Sequence, residues 1–237
     1  MTFGATLDKL VRTARGLPVP VLHRLSEAGG VALTIDDGPT PDATPGILEA
    51  LRRHKAVATF FVSGERAAAQ PELLAAMVGD GHRVCNHGFA HLRLDQLDEA
   101  AVAADLDRAE KVLGRARPAP SPYPLRLPFG EGWRSRSLHR ALLAWHSDVR
   151  IVHWTRHAHD WEIVGRCQSS ADLGHECRRA AAELTASEGL PGAILLAHDR
   201  PIDATHPLSG AASVIFIEHV LEMLAQAAIP TLPLRVQ

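Results

Sequence analysis

Val31-Ala32-Leu33-Thr34-Ile35-Asp36-Asp37-Gly38-Pro39 is a short, largely apolar run that stops at two carboxylates and a Gly-Pro turn. Continuous aliphatic character without alternation points to a strand buried on both faces, and the polar tetrapeptide to a loop at its C-terminal end. Comparable runs recur at 58–62, 83–86, 125–127, 150–154, 193–197 and 229–234. Helical spacing fills the intervals at 45–54, 71–78, 94–113, 135–144, 173–187 and 212–228. Strands alternating with helices predict a parallel sheet covered by helices, closed or nearly closed into an α/β barrel with seven strands.

A chain of 237 residues buries one full core without needing a second. Residues 31–237 are expected to form that domain. Residues 1–30 read as a helical extension packed on it, with Leu7, Leu10 and Val11 on one side and Leu17-Pro18-Val19-Pro20 breaking it. A net charge of -2, with the arginines scattered along the chain, offers no phosphate-tracking surface, so nucleic acid is not an expected partner. Cys85, Cys167 and Cys177 have neither the spacing nor the density of a zinc knuckle or disulfide scaffold and read as reduced thiols. There is no unbroken apolar run of signal-peptide or membrane-span length, which makes the cytoplasm the expected compartment.

Polar clusters follow the strand candidates one after another: Asp36-Asp37, His87 with His91, Arg126 with Pro128-Phe129-Gly130, Asp160-Trp161, and His198-Asp199. In a parallel barrel the C-terminal strand ends share one rim, where active sites are built. Adjacent carboxylates repel unless a cation or a shared proton compensates. An isolated Asp-Asp-Gly-Pro reads first as a turn or capping pair, and the strand before it together with the distant histidines favours a metal site instead. His87 and His91 are four apart, so one helical turn would aim both imidazoles the same way, although a chain with 14 histidines produces such pairs by chance. With Asp37 they make a facial Asp-His-His set that leaves positions for water and substrate.

Thr34-Ile35-Asp36-Asp37-Gly38-Pro39 resembles the first motif of the NodB-type polysaccharide deacetylases, carbohydrate esterase family four, and His87-Gly88-Phe89-Ala90-His91 resembles their second. Arg126-Leu127-Pro128-Phe129-Gly130, Asp160-Trp161 and Leu196-Ala197-His198 are similar to the third, fourth and fifth, in order. The resemblance implies a deformed (β/α)7 barrel with Asp37, His87 and His91 as metal ligands, Asp36 as general base and His198 as general acid. It implies that Arg126 tethers the base, that Asp160 orients the acidic histidine, that the backbone N–H of Phe129 helps hold the oxyanion, and that Pro128, Phe129, Trp161 and Leu196 meet the substrate. The implied cofactor is a divalent metal. Zinc is the expected ion, and cobalt, nickel, manganese and iron(II) suit the same donors.

The expected reaction is removal of an acetyl group from an N-acetylated sugar or oligosaccharide such as a chitooligosaccharide, by metal-activated water. A deacylase or deformylase of another amide or lipid-linked sugar, and a non-catalytic glycan-binding relative, are the alternatives. The chain departs from the family pattern at Gly88, usually Ser or Thr, at Ile35, usually aromatic, and at His157, often Asp. Trp161 reads as a wall for a pyranose ring, with Trp133 a second candidate, whereas Trp145 and Trp154 read as packing residues and His157 and His159 as surface or structural ones.

Overall fold

The computed structural model describes residues 15–26, 29–167, 169–200 and 206–236. The helical reading around Leu7 to Val11 lies outside the described residues. Among those described are seven strands: β1 Val21–Leu22, β2 Ala32–Asp37, β3 Thr59–Val62, β4 Arg83–Asn86, β5 Tyr123–Leu125, β6 Val149–Val152 and β7 Ile194–His198. All pair in parallel, in the order β1-β6-β5-β4-β3-β2-β7. The open side between β1, β6 and β7 is laced by irregular backbone: Leu25 N–H donates to Gly192 O at 2.8 Å, Thr155 N–H to Ile194 O at 2.8 Å and Leu196 N–H to Arg156 O at 2.9 Å. The result is a deformed, incompletely closed barrel.

Helices α1 Thr44–Arg53, α2 Gly64–Ala69, α3 Pro71–Gly79, α4 Glu99–Leu113, α5 Arg136–Trp145 and α6 Ser170–Leu184 lie between successive strands, and α7 Ser209–Gln226 follows β7. The alternation of strand side chains gives the sheet a helix-facing side and an inner side. Leu33, Ile35, Phe60 and Val62 join the helix-facing cluster. Ala32, Phe61, Cys85, Val152 and Ile194 form an inner cluster with Leu234 and Val236. Thr34 and Asp36, which alternate with Leu33 and Ile35, therefore belong to the inner side. Cys85, Cys167 and Cys177 are unpaired, as expected of reduced thiols.

Two sequence expectations are corrected. Residues 229–234 are not a regular strand: they make one bridge, Val31 to Thr231, before the chain delivers Leu234 and Val236 to the inner cluster. The seventh strand is instead Val21–Leu22, just after the Pro18 and Pro20 breaks and within the stretch assigned to the preceding extension. The helix expected over 94–113 is also two pieces. Asp98 accepts the N–H of Ala101 at 2.8 Å and so caps α4 at its start, leaving Leu94–Gln96 as a separate 3-10 turn.

Candidate active site

Register places the first pair of site residues. Asp36 on β2 lies directly beside His198 on β7, and parallel neighbours at one level project from the same face of the sheet. Asp36 is buried, and Arg126 Nη1 donates to its Oδ1 at 2.8 Å. Arg126 is itself 1 % exposed, a burial that is tolerable only because its donors are used: Thr34 Oγ1 at 2.6 Å, Val152 O at 3.1 Å and His153 O at 3.2 Å accept the others. The Phe61 ring lies 4.2 Å from the guanidinium carbon. The remaining oxygen of Asp36, Oδ2, is 3.9 Å from His87 Nε2.

Asp37, at the end of β2, has φ of 76°, which swings its carboxylate away from the strand's alternation. His91 Nε2 is 3.0 Å and His87 Nε2 3.4 Å from Asp37 Oδ1, and one ligand atom from each residue lies within 4.8 Å of the others. Burial alone would raise the Asp37 pKa, but hydrogen bonds from the two histidines and the charge of His198 together hold it well below the usual carboxylate range. His87 Nδ1 sits 2.9 Å from Arg126 O. A carbonyl only accepts, so Nδ1 carries the hydrogen; Nε2 donates to Asp37 in the imidazolium and, in the neutral ring, presents a lone pair to the same space. This donor set fits a divalent metal: two imidazole nitrogens and a carboxylate converge, and the partner of His87 fixes its metal-binding tautomer.

The two histidines do not share a helical turn. Gly88 and His91 have φ of 75° and 53°, so the segment from 87 to 91 is a loop, held open by backbone that a helix forbids. Its bracing replaces the Ser or Thr expected beside His87. Asn86 Oδ1 accepts the N–H of Gly88 at 2.8 Å, and Asp105 on α4 accepts those of Phe89 at 2.8 Å and Ala90 at 3.1 Å. A Cβ at Gly88 would stand 2.9 Å from Asp105 Oδ2. Just beyond β7, Asp199 is fully buried and accepts from Thr40 Oγ1 at 2.7 Å and Thr44 Oγ1 at 2.6 Å. Burial lifts its pKa to about 6 against the lowering effect of those hydroxyls.

Asp160 opens a 3-10 segment, Asp160–Arg166, and is buried. Its Oδ2 accepts the main-chain N–H of His198 at 2.7 Å, and its Oδ1 lies 3.0 Å from His198 Nδ1. The carboxylate thus grips both ends of one residue and leaves Nε2 as the other ring nitrogen. Burial opposes the imidazolium, but the charge and hydrogen bond of Asp160, with Asp37 and Asp36 behind it, push the pKa up to about 9.

These groups meet in a cavity of about 590 Å3 whose lining includes Asp36, Asp37, His87, His91, Phe129, Trp161, Leu196 and His198. Phe129 is 59 % exposed at its rim, 4.5 Å from the His91 ring. Trp161 stands edge-on to His198 at 4.9 Å. Arg126 and Asp160 lie behind the lining, as befits residues that hold others. Pro128, expected to meet substrate, is buried and absent from the lining described. Trp154, read as a packing residue, and His157, read as a surface or structural one, do line the cavity, with His157 stacked on Trp161 at 5.6 Å. The close fit of Trp154 is visible at Gly130, where φ is 65° and a Cβ would lie 2.1 Å from the indole. Trp133 packs instead against the rings of His23 and His153. Arg66 and Arg200, missed in the sequence, line the cavity too. Both lie just beyond strand ends, β3 and β7, and that position was the available signal.

The polysaccharide deacetylase family model matches residues 25–144, half of the chain, and takes in the first three motifs. The chain belongs to the polysaccharide deacetylase family. A chitooligosaccharide deacetylase of Bradyrhizobium sp. (strain ANU 289) is 36% identical over 175 residues, 74% of this chain and 73% of the relative. A peptidoglycan-N-acetylglucosamine deacetylase of Bacillus cereus is 31% identical over 173 residues, 72% of this chain and 56% of the relative. Among solved structures, the Bc1960 peptidoglycan N-acetylglucosamine deacetylase, in complex with 4-naphthalen-1-yl-N-oxidanyl-benzamide, superposes with a TM-score of 0.72 at 26% identity, covering 90% of each chain. The deacetylase fold and the enzyme class anticipated from the five motifs are thereby established. No helix among the described residues is long and apolar enough to cross a membrane.

Proposed function

We propose that this deacetylase hydrolyses the acetamide of N-acetylated sugars, chitooligosaccharides or related glycans, using Asp36 as general base and His198 as general acid. The observation that carries the reading is the pairing of a carboxylate and an imidazole with separate buried partners, Asp36 with Arg126 and His198 with Asp160, around one cluster of metal-type donors. The deacetylases it resembles, named for chitooligosaccharide and for peptidoglycan N-acetylglucosamine, supply the substrate class.

Asp37, His87 and His91 would hold a divalent metal, expected to be zinc, which supplies Lewis-acid polarisation of the acetyl carbonyl and lowers the pKa of water. Asp36 keeps Oδ1 on Arg126 and uses Oδ2 to take a proton from the attacking water. Charge that builds on the acetyl oxygen is met by the backbone N–H of Phe129. His198, protonated at neutral pH through Asp160, gives its Nε2 proton to the departing sugar amine. Trp161 and Trp154 offer apolar faces for the pyranose, and Leu196 packs beneath. A glycan-binding protein without turnover would need neither a tethered base nor an imidazole held charged to about pH 9.

Zinc-loaded protein should release acetate from N-acetylglucosamine oligomers, lose that activity on chelation and regain it when metal is restored. No acetate from any N-acetyl sugar, with Asp36→Asn indistinguishable from wild type, would refute the reading.

A further inference from the structure

Two guanidiniums on the cavity wall have no part in that chemistry. Arg66 on α2 and Arg200, two residues past His198, line both the active-site cavity and an adjoining hollow of about 260 Å3. Arg66 Nη1 donates to the main-chain oxygen of Asp37 at 2.8 Å. Neither Arg66 nor Arg200 forms an ion pair with a carboxylate among the described residues, whereas Arg53, Arg117, Arg126, Arg166 and Arg179 each do. The two also feel one another: burial weakens the hold of Arg66 on its proton, Asp37 strengthens it, and the charge of Arg200 weakens it again.

The nearby carboxylates are committed elsewhere. Asp36 is held by Arg126, Asp160 by His198 and Asp199 by two threonine hydroxyls, while Asp37 belongs to the metal-type cluster. Asp37, Asp199 and Glu65 temper the charge of Arg66 without an ion-pair contact to it, so both guanidiniums keep donors for an anion, and guanidinium forks match the oxygens of carboxylate and phosphate. The rest of the lining supplies what a sugar ring needs, in the aromatic faces of Trp154, His157 and Trp161. A neutral N-acetyl sugar would use the aromatic faces and leave the two cations idle.

We propose that Arg66 and Arg200 form a recognition site for an oxyanion substituent, a carboxylate or phosphate borne by the N-acetylated sugar or its neighbour in the glycan, and that acidic N-acetyl glycans are the preferred substrates. The inference rests on the deacetylase reading and assigns specificity within it. Arg200 is the residue to vary, because Arg66 also supports the backbone of Asp37.

The test compares acetate release from three saccharides of equal length: an N-acetylglucosamine oligomer, the same oligomer carrying a carboxylate-bearing ether, and the same oligomer carrying a phosphate monoester. At least one acidic saccharide should be preferred by about tenfold in kcat/KM, mainly through KM, and the preference should shrink as salt screens it. Arg200→Ala should remove most of that preference, Arg200→Lys keep part of it and Arg200→Glu reverse it. The preferred arm identifies the oxyanion. Equal kcat/KM for all three saccharides, or a preference untouched by Arg200→Glu, overturns the inference while leaving the deacetylase reading intact. Calorimetric binding of the same saccharides to metal-loaded protein separates the two failures. Arg200-dependent binding of an acidic saccharide without acetate release upholds the oxyanion site and refutes the deacetylase reading, and absence of that binding refutes the site.

Discussion

Asp36 with Arg126 and His198 with Asp160 are both carboxylate–cation pairs at the same barrel rim, yet in the proposed mechanism the working member is the carboxylate in one and the cation in the other. The difference lies in which partner is sealed. Arg126 is 1 % exposed, surrounded by acceptors and of a type that does not lose its proton, so it acts as fixed charge. Asp160 has both oxygens occupied by His198 and is buried behind it, leaving the imidazole at the cavity. An ion pair becomes a catalytic device when one member is locked and the other keeps a face toward substrate.

The strongest way to break this comparison is Asp36→Asn, which keeps shape and removes the proposed base. Loss of kcat by about 10²–10⁴ is expected with little change in thermal stability, measured as acetate release and by calorimetry. Next is Arg126→Ala. Removing the locked partner strands a buried carboxylate, so stability should fall by about 3–5 kcal/mol in denaturant titration, along with activity. A variant of normal stability would show that Arg126 is not the compensating charge.

The acid side is probed by pH. With Asp160 present, His198 holds its proton up to about 9, so kcat/KM should be sustained below that value and fall above it. Asp160→Asn removes the charge that raises the pKa, and the alkaline limb should move down toward 6.5, the ordinary imidazole value. A limb that stays in place would assign it to another group. The smallest effect belongs to the loop between the two pairs. Gly88→Ala forces a side chain into φ of 75° and against Asp105, and about 1–2 kcal/mol of stability should be lost while the pH profile is retained.

The strand ends and the residues on them were legible because β2, β3 and β4 are short apolar runs closed by polar residues, a pattern that follows directly from burial on both faces. Asp36, Asp37, His87, His91, Arg126, Asp160 and His198 converge in space as their order along the chain suggested. What escaped the sequence is set by tertiary contact. Val21–Leu22 is two residues long and becomes a strand only because β6 offers an edge. Residues 229–234 have strand composition but spend their apolar groups plugging the barrel. Trp154 looked like packing because strand position alone does not tell whether an indole faces core or cavity. The helical spacing of His87 and His91 pointed to a pair that does converge with Asp37, for a reason the loop does not use.

Arg126 serves the site twice, and in two different materials. Its side chain holds Asp36, and its main-chain oxygen receives the Nδ1 hydrogen of His87. A codon change can rewrite the first contribution and cannot touch the second, since every amino acid brings the same carbonyl. Mutation can therefore remove the hold on Asp36 while the acceptor for His87 stays in the backbone, which gives this rim a heritable part and a permanent one at a single position.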